Sequence, residues 1–404
     1  MAIAKSPLWC LALFLGVGVC LADPAPDIAL SLRTIRAVGP EGQGNAEASA
    51  LWKKLAAGDA TIIPEILAAM DGANDLSANW LRAAIDAIAE RQQRSGGKLP
   101  LLELGNFLLD ARHNPSARRL AFELIGRSDP ATAENLRPGL MNDPGGELRR
   151  DGVQRAIDQA GRSLAESNRL SAVLLYQQAL TFARDVDQVE TIAKQLRGLG
   201  QRVDLPVLFG WLTRWKVIGP FDSAGGKGFA AVYPPEKEMD LAAEYEGKSG
   251  KAGWKDLETA DEYGVVDINK PYTALKGVAA YAHAEFTSDK EQAVELRLGS
   301  QNSWKIWLNG QFLFGREEYH RGREIDQYRI PATLRAGRNS ILVKVCQNEQ
   351  KDDWAGEWQF QMRICDPFGA PVFSRKPEAG ERAQINREAP GETAISGKAG
   401  GLKR

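Results

Sequence analysis

VELRLGS (Val294–Ser300), NSWKIWLNG (Asn302–Gly310) and QFLFG (Gln311–Gly315), then DQYRIPATLRAG (Asp326–Gly337) and RNSILVKV (Arg338–Val345), decide the fold. Apolar and polar residues alternate through these runs, and in an extended chain alternation puts one set on each face. Asn309-Gly310 separates two of them. It is a strong hairpin signal, because a type I′ turn needs positive φ at both central residues. Ala336-Gly337-Arg338-Asn339 punctuates the next pair. The reading is a twisted antiparallel sheet with a buried face, hence a β-sandwich.

Working outward from this region, the composition changes. Seven of the ten tryptophans fall between Trp211 and Trp358, whereas the preceding segment is rich in Ala, Leu, Arg and Glu. Three- and four-residue apolar spacing predicts helices over Leu51–Met70, Trp80–Arg91, Leu101–Leu109 and Ala117–Ile125, and again over Leu148–Ala160, Leu170–Ala183 and Val186–Leu199. Asn114-Pro115, Asp129-Pro130 and Asp143-Pro144 read as helix starts, since the side chain caps and the ring fits the first turn. Arg118-Arg119 and Arg149-Arg150 follow two of these starts about 31 residues apart, a loose repeat that resembles HEAT repeats over residues 50–160. Ala172, Tyr176, Ala179 and Ala183 are weakly similar to a TPR helix. Stacked helical pairs give an α-solenoid. The expected fold class is therefore multidomain α plus all-β, an N-terminal HEAT-like α-solenoid followed by an antiparallel β-sandwich.

The expected divisions are a signal peptide over 1–22, a linker and first helix over 23–49, and helical repeats over 50–204. The sandwich follows over 205–373, with a disordered tail over 374–404. Within the sandwich, Trp215–Phe221 reads as a short strand ended by a turn at Pro220, and Tyr233–Glu236 as an extended piece along the sheet edge. An ordered string of motifs runs through this part. It comprises Trp215–Phe221, Tyr233–Glu236, Gly247–Trp254, Ala280–Ala282, Glu295–Ser300, Trp307–Gly310, Asp326-Gln327, Leu334–Asn339 and Leu342–Val345. Together they resemble a module of exported bacterial proteins of planctomycete type. That module is related to galactose-binding-like jelly rolls and to the sugar-binding domain of glycoside hydrolases. The resemblance covers about 160 residues and implies a jelly roll without catalysis; it brings no ligand with it.

Lys5 precedes an apolar run from Pro7 to Ala22, about 16 residues, which is short of the roughly 20 needed to span a bilayer. Cleavage after Ala22 and an exported, periplasmic or extracellular location are expected. Val17-Gly18-Val19-Cys20 also resembles a lipobox, although Val19 replaces its small residue, so a lipid anchor at Cys20 is the alternative. Cleavage would leave Cys346 and Cys365, a candidate disulfide in an oxidising compartment. The two strands read as arms of one hairpin, though pairing about Gln350–Ala355 sets Cys346 opposite a residue near Gln359. The formal net charge is −1 with interspersed signs, which argues against a nucleic-acid partner.

Nothing supplies a catalytic apparatus. HExxH, GxSxG and phosphate-loop patterns are missing, and His113, His283 and His320 lie on different elements. No catalytic residue, metal or cofactor is expected; Asp352-Asp353 alone makes a poor cation cage. The ligand candidates sit in the polar loop Arg316–Asp326 and near it. Tyr319 could stack on a sugar face, and His320 and Arg321 could donate to hydroxyls, unless Arg321 pairs internally with Asp326. Trp307 alternates out of phase with Trp304, Ile306 and Leu308, so one face leaves the core. Trp354 is the better candidate for exposure. Two function classes stand: a glycan- or envelope-polymer-binding sandwich, and a protein–protein scaffold acting through the helices.

Overall fold

A computed structural model describes residues 26–375. The expected signal segment, the lipid-anchor alternative at Cys20 and the expected tail beyond Arg375 lie outside the described residues. The described chain forms two compact units. One runs to Gly139 and adds Asp143–Leu148; the other comprises Leu140–Asn142 and the chain from Arg149 onward. The helical segment read over 50–204 is thus divided between them.

The first unit is helical: Pro26–Arg36, Asn45–Ala56, Ile63–Ala68, Asp75–Arg94, Leu101–Leu109, Pro115–Ser128 and Pro130–Leu136. The continuous helix expected over Leu51–Met70 is broken at Gly58-Asp59. There the Asp59 carboxylate accepts the Thr61 N–H at 2.9 Å and starts a new turn. The Asn-Pro and Asp-Pro starts work as caps: Asn114 accepts from Ser116 and Ala117, and Asp129 from Ala131 and Thr132. The repeated arginines pair with acidic residues near the starts of later helices. Arg118 is buried; its Nε donates to Leu108 O at 2.7 Å and its Nη1 to Asp143 Oδ1 at 2.9 Å. In the second unit Arg150 reaches Asp187 at 2.8 Å, in an exposed pair.

The second unit places helices Arg169–Phe182, Val186–Gly198 and Leu205–Phe209 ahead of twelve strands. These are β1 (Arg214–Asp222), β2 (Glu244–Gly247), β3 (Gly250–Gly253), β4 (Lys255–Glu258), β5 (Val266–Asp267), β6 (Val278–Ser288), β7 (Gln292–Gly299), β8 (Ser303–Leu308), β9 (Gln311–Arg316), β10 (Tyr328–Leu334), β11 (Gly337–Gln347) and β12 (Gln359–Cys365). The larger sheet has the order β4-β1-β6-β11-β8-β9 and the smaller β10-β7-β12-β5, while β2 and β3 form a separate hairpin. All the pairings are antiparallel. The chain is therefore mixed α plus β, with two antiparallel sheets enclosing one core.

Alternation builds that core. Trp304, Ile306 and Leu308 of β8, Ile341, Val343 and Val345 of β11, and Phe360, Met362 and Ile364 of β12 all enter it. Trp358 is fully buried and donates its indole N–H to Val345 O at 3.1 Å. Burying such a side chain contributes roughly 2–3 kcal/mol. Asn309 and Gly310 do have positive φ, 54° and 77°, at the β8–β9 turn.

Three expectations are corrected. β1 does not stop at Pro220: it continues to Asp222 through a bulge between Ile218 and Phe221, which absorbs the ladder bond that proline cannot donate. Pro234–Lys237 is a helical turn lying over the outer face of the larger sheet, not along its edge, because Glu236 meets Lys344 of the interior strand β11. Cys346 and Cys365 are free, buried thiols. β11 and β12 are not arms of a hairpin; the chain changes sheets between them, and each cysteine faces away from the shared core. Burial pushes the Cys346 thiol up to about 12. We predict that neither thiol of the native chain reacts with an aromatic disulfide reagent at pH 8, and that both titrate in denaturant without reductant. Loss of those thiols unless a reductant is added would establish a bridge.

Candidate ligand site

Both outer faces of the sandwich are covered, and the covering fixes the site. Over the larger sheet, Ile218, Phe221, Tyr281, Trp307, Leu342 and Cys346 form a second apolar layer beneath Phe229, Tyr233, Met239 and Trp254. A buried ion pair clamps this strap. Lys344 Nζ donates to Glu236 Oε1 at 2.8 Å and to the carbonyls of Ala231 at 2.5 Å and Phe229 at 3.3 Å. The ammonium also lies 5.0 Å from the Tyr233 ring centre and 5.6 Å from that of Tyr281, close enough for cation–π attraction. Burial lowers the Lys344 pKa, and Glu236 opposes that shift.

On the smaller sheet, Arg297 of β7 and Arg363 of β12 stand side by side in register. Asp326 neutralises both. Arg363 donates through Nε at 2.7 Å and Nη2 at 2.5 Å, and Arg297 through Nη1 at 2.7 Å. Arg297 also holds Glu295, at 2.6 Å, and Arg363 reaches Phe209 O at 3.3 Å. Burial raises the Asp326 pKa, but the two guanidiniums outweigh it, and the net shift is downward. Asp326 therefore ties down the end of the loop that began at Arg316. The internal Arg321–Asp326 pair considered from sequence is not formed: Arg321 is exposed, and its ion pair is with Glu318, at 4.0 Å.

The anchored loop delivers Tyr319 and His320 to the end of the sandwich where the β7–β8, β9–β10 and β11–β12 connections meet. His320 has φ +60°, an uncommon conformation for a side-chain-bearing residue, and its N–H donates to Gln301 O at 2.7 Å. Its Nε2 lies 3.1 Å from Asn348 Oδ1, which also accepts the Gln350 N–H, so the network assigns the imidazole proton to Nε2. Nδ1 is then a buried acceptor without a partner among the described residues, and the buried Gln301 Nε2 is a donor in the same condition. Trp354 meets the His320 ring edge-on, with centres 5.0 Å apart and planes at 89°, and is 60% exposed. The Tyr319 hydroxyl approaches Ser303, although neither oxygen achieves good hydrogen-bond geometry. Burial pushes this phenol up to about 12, so it stays protonated.

Of the five sequence candidates, Tyr319, His320 and Trp354 converge. Arg321 stands outside in solvent, and Trp307 is only 7% exposed, packed against Tyr281 and Phe312. Gln301 and Asn348 were not singled out from sequence; isolated amides in loops carry no pattern there. Among the described residues there is no group of three acidic, His or Cys side chains suited to a metal ion. The chemistry on offer is an aromatic face beside one unpaired acceptor and one unpaired donor.

No protein-family model matches the chain, and no curated protein matches its sequence. Among solved structures, the PA14 sugar-binding domain of an RTX adhesin overlaps 40% of this chain and 94% of that chain, at 14% identity and a TM-score of 0.24. The PA14 domain of the antifreeze protein MpAFP overlaps 24% of this chain and 47% of that one, at 11% identity and a TM-score of 0.20. A β-glucosidase from Kluyveromyces marxianus in complex with glucose overlaps 42% of this chain, at 12% identity and a TM-score of 0.24. The chain spans less than half of the antifreeze domain and only 17% of the glucosidase. At these scores the overlaps carry no argument about this chain.

Proposed function

We propose that the chain is a non-catalytic, exported binding protein that holds a carbohydrate or cell-envelope polymer through its sandwich, wound in jelly-roll order and presented by stacked HEAT-like helices. The observation that carries this reading is the exposed Trp354 standing against His320, whose Nδ1 is buried and unpaired. Buried polar atoms are rarely left without a partner, so this acceptor and the Gln301 donor suit a polar group. A sugar hydroxyl both donates and accepts, so it suits His320 Nδ1 and Gln301 Nε2, while the C–H face of the ring stacks on indole.

The test is a glycan array and polysaccharide pull-down with the full chain, beside Trp354→Ala and His320→Ala. Affinity is expected to fall at least about tenfold in each variant, roughly 1.4 kcal/mol or more, with Arg321→Ala little changed. Failure of the folded chain to retain any glycan would sink the proposal. A second reading, a protein scaffold acting through the helices, draws support from Leu170 and Leu174. They lie one turn apart on helix Arg169–Phe182 and are 72% and 58% exposed.

A further inference from the structure

At the opposite end of the sandwich the β8–β9 and β10–β11 turns frame a groove of about 340 Å³ beside the outer end of β6. Its frame is rigid. Asn309 Nδ2 donates to Asn339 Oδ1 at 3.0 Å, and the Ser340 N–H returns to Asn309 Oδ1 at 3.0 Å. Asn339 in turn binds both backbone groups of Arg335, accepting from its N–H at 3.0 Å and donating to its carbonyl at 2.9 Å. Three charged side chains line the groove: Arg335, Arg338 and Glu285. Arg338 is paired with Glu285. Arg335 is exposed and has no ion pair among the described residues. Met239 supplies an apolar wall.

We infer that this groove is a second ligand site, for a carboxylate-bearing sugar of the hexuronate type. A planar guanidinium presents paired N–H groups that match a carboxylate two-to-two, and Arg335 is the cation left over to do so. Asn309, Ser340 and the paired Glu285 carboxylate border the space where ring hydroxyls would lie, and Met239 offers a face for the C–H side. The size falls within the range of small-molecule sites. The turn asparagines hold the Arg335 backbone in place, so only its side chain is left to be ordered on binding. This inference does not depend on the Trp354 site and would survive its failure.

Calorimetry of the full chain with a short oligogalacturonate and with its neutral galactose counterpart tests it. The oligogalacturonate is expected to bind, with affinity falling at least about tenfold in Arg335→Gln and on raising salt, while Trp354→Ala leaves it within about twofold. Glu285→Gln, which frees Arg338, is expected to tighten binding severalfold. Arg335 is exposed, so its replacement does not threaten folding. The inference is overturned if the oligogalacturonate does not bind, if the neutral oligomer binds equally well, or if binding is lost in Trp354→Ala but kept in Arg335→Gln.

Discussion

Asp326→Ala is expected to destabilise the second unit by about 3–5 kcal/mol, because it leaves two buried guanidiniums without their shared counter-ion. Arg297 and Arg363 are respectively 5% and 2% exposed, so water cannot take the place of the lost carboxylate. Urea unfolding followed by tryptophan fluorescence measures the loss, and a change below about 1 kcal/mol would show that the network is not a structural tie. The same variant should release the loop bearing Tyr319 and His320, so any glycan affinity should fall along with stability. The pH dependence has a fixed sign. Unfolded Asp326 takes up a proton near 3.8, and the folded residue only at lower pH. The stability it confers is therefore complete above about 3.8 and is lost as the pH falls below that value toward the folded pKa. Asp326→Asn should flatten that part of the acid-stability profile.

Lys344→Ala should have a comparable effect at the other outer face, again about 3–5 kcal/mol, since Glu236 keeps the Tyr281 hydroxyl but loses its counter-ion, and two strap carbonyls lose a donor, inside an apolar layer. The informative companion is the double variant Lys344→Met with Glu236→Gln. Replacing both charges removes the unpaired group as well as the pair, so most of the lost stability should return. Limited trypsin digestion gives an independent readout. The single variant should be cut faster at Lys227 and Lys237, which flank the clamp, and the double variant at a rate nearer the parent. Equal rates in all three chains would mean that the strap is held by its aromatic packing alone.

These two networks also mark where sequence reading stopped. The strand pattern was legible because period-two alternation is a strong signal in β8, β11 and β12, and the turn at Asn309-Gly310 needed only local chemistry. The caps at Asn114 and Asp129 were legible for the same reason. Alternation assigns residues to two faces but does not say that the second face is covered. Alternation puts Lys344, Arg297 and Arg363 on that second face, and only the tertiary structure shows each buried by chain from a distant part of the sequence. The cysteines failed for a related reason: β11 and β12 are consecutive strands, and only the tertiary structure shows that the chain changes sheets between them. Of the site, the aromatic and histidine members could be guessed from loop chemistry. Gln301 and Asn348 could not, because their role depends on which carbonyl and which ring nitrogen they meet.

The position of β6 sets an order of events during synthesis. Its neighbours in the larger sheet are β1, which precedes it, and β11, which begins about fifty residues after β6 ends, so the sheet stays half-built until most of the chain exists. The first unit has no such wait, since its helices pack largely on sequence neighbours. On a ribosome the helical part can become compact while β6 and β8 still expose unpaired edges rich in aromatic side chains. The interval before β11 and β12 emerge is when this chain most needs protection from its own kind.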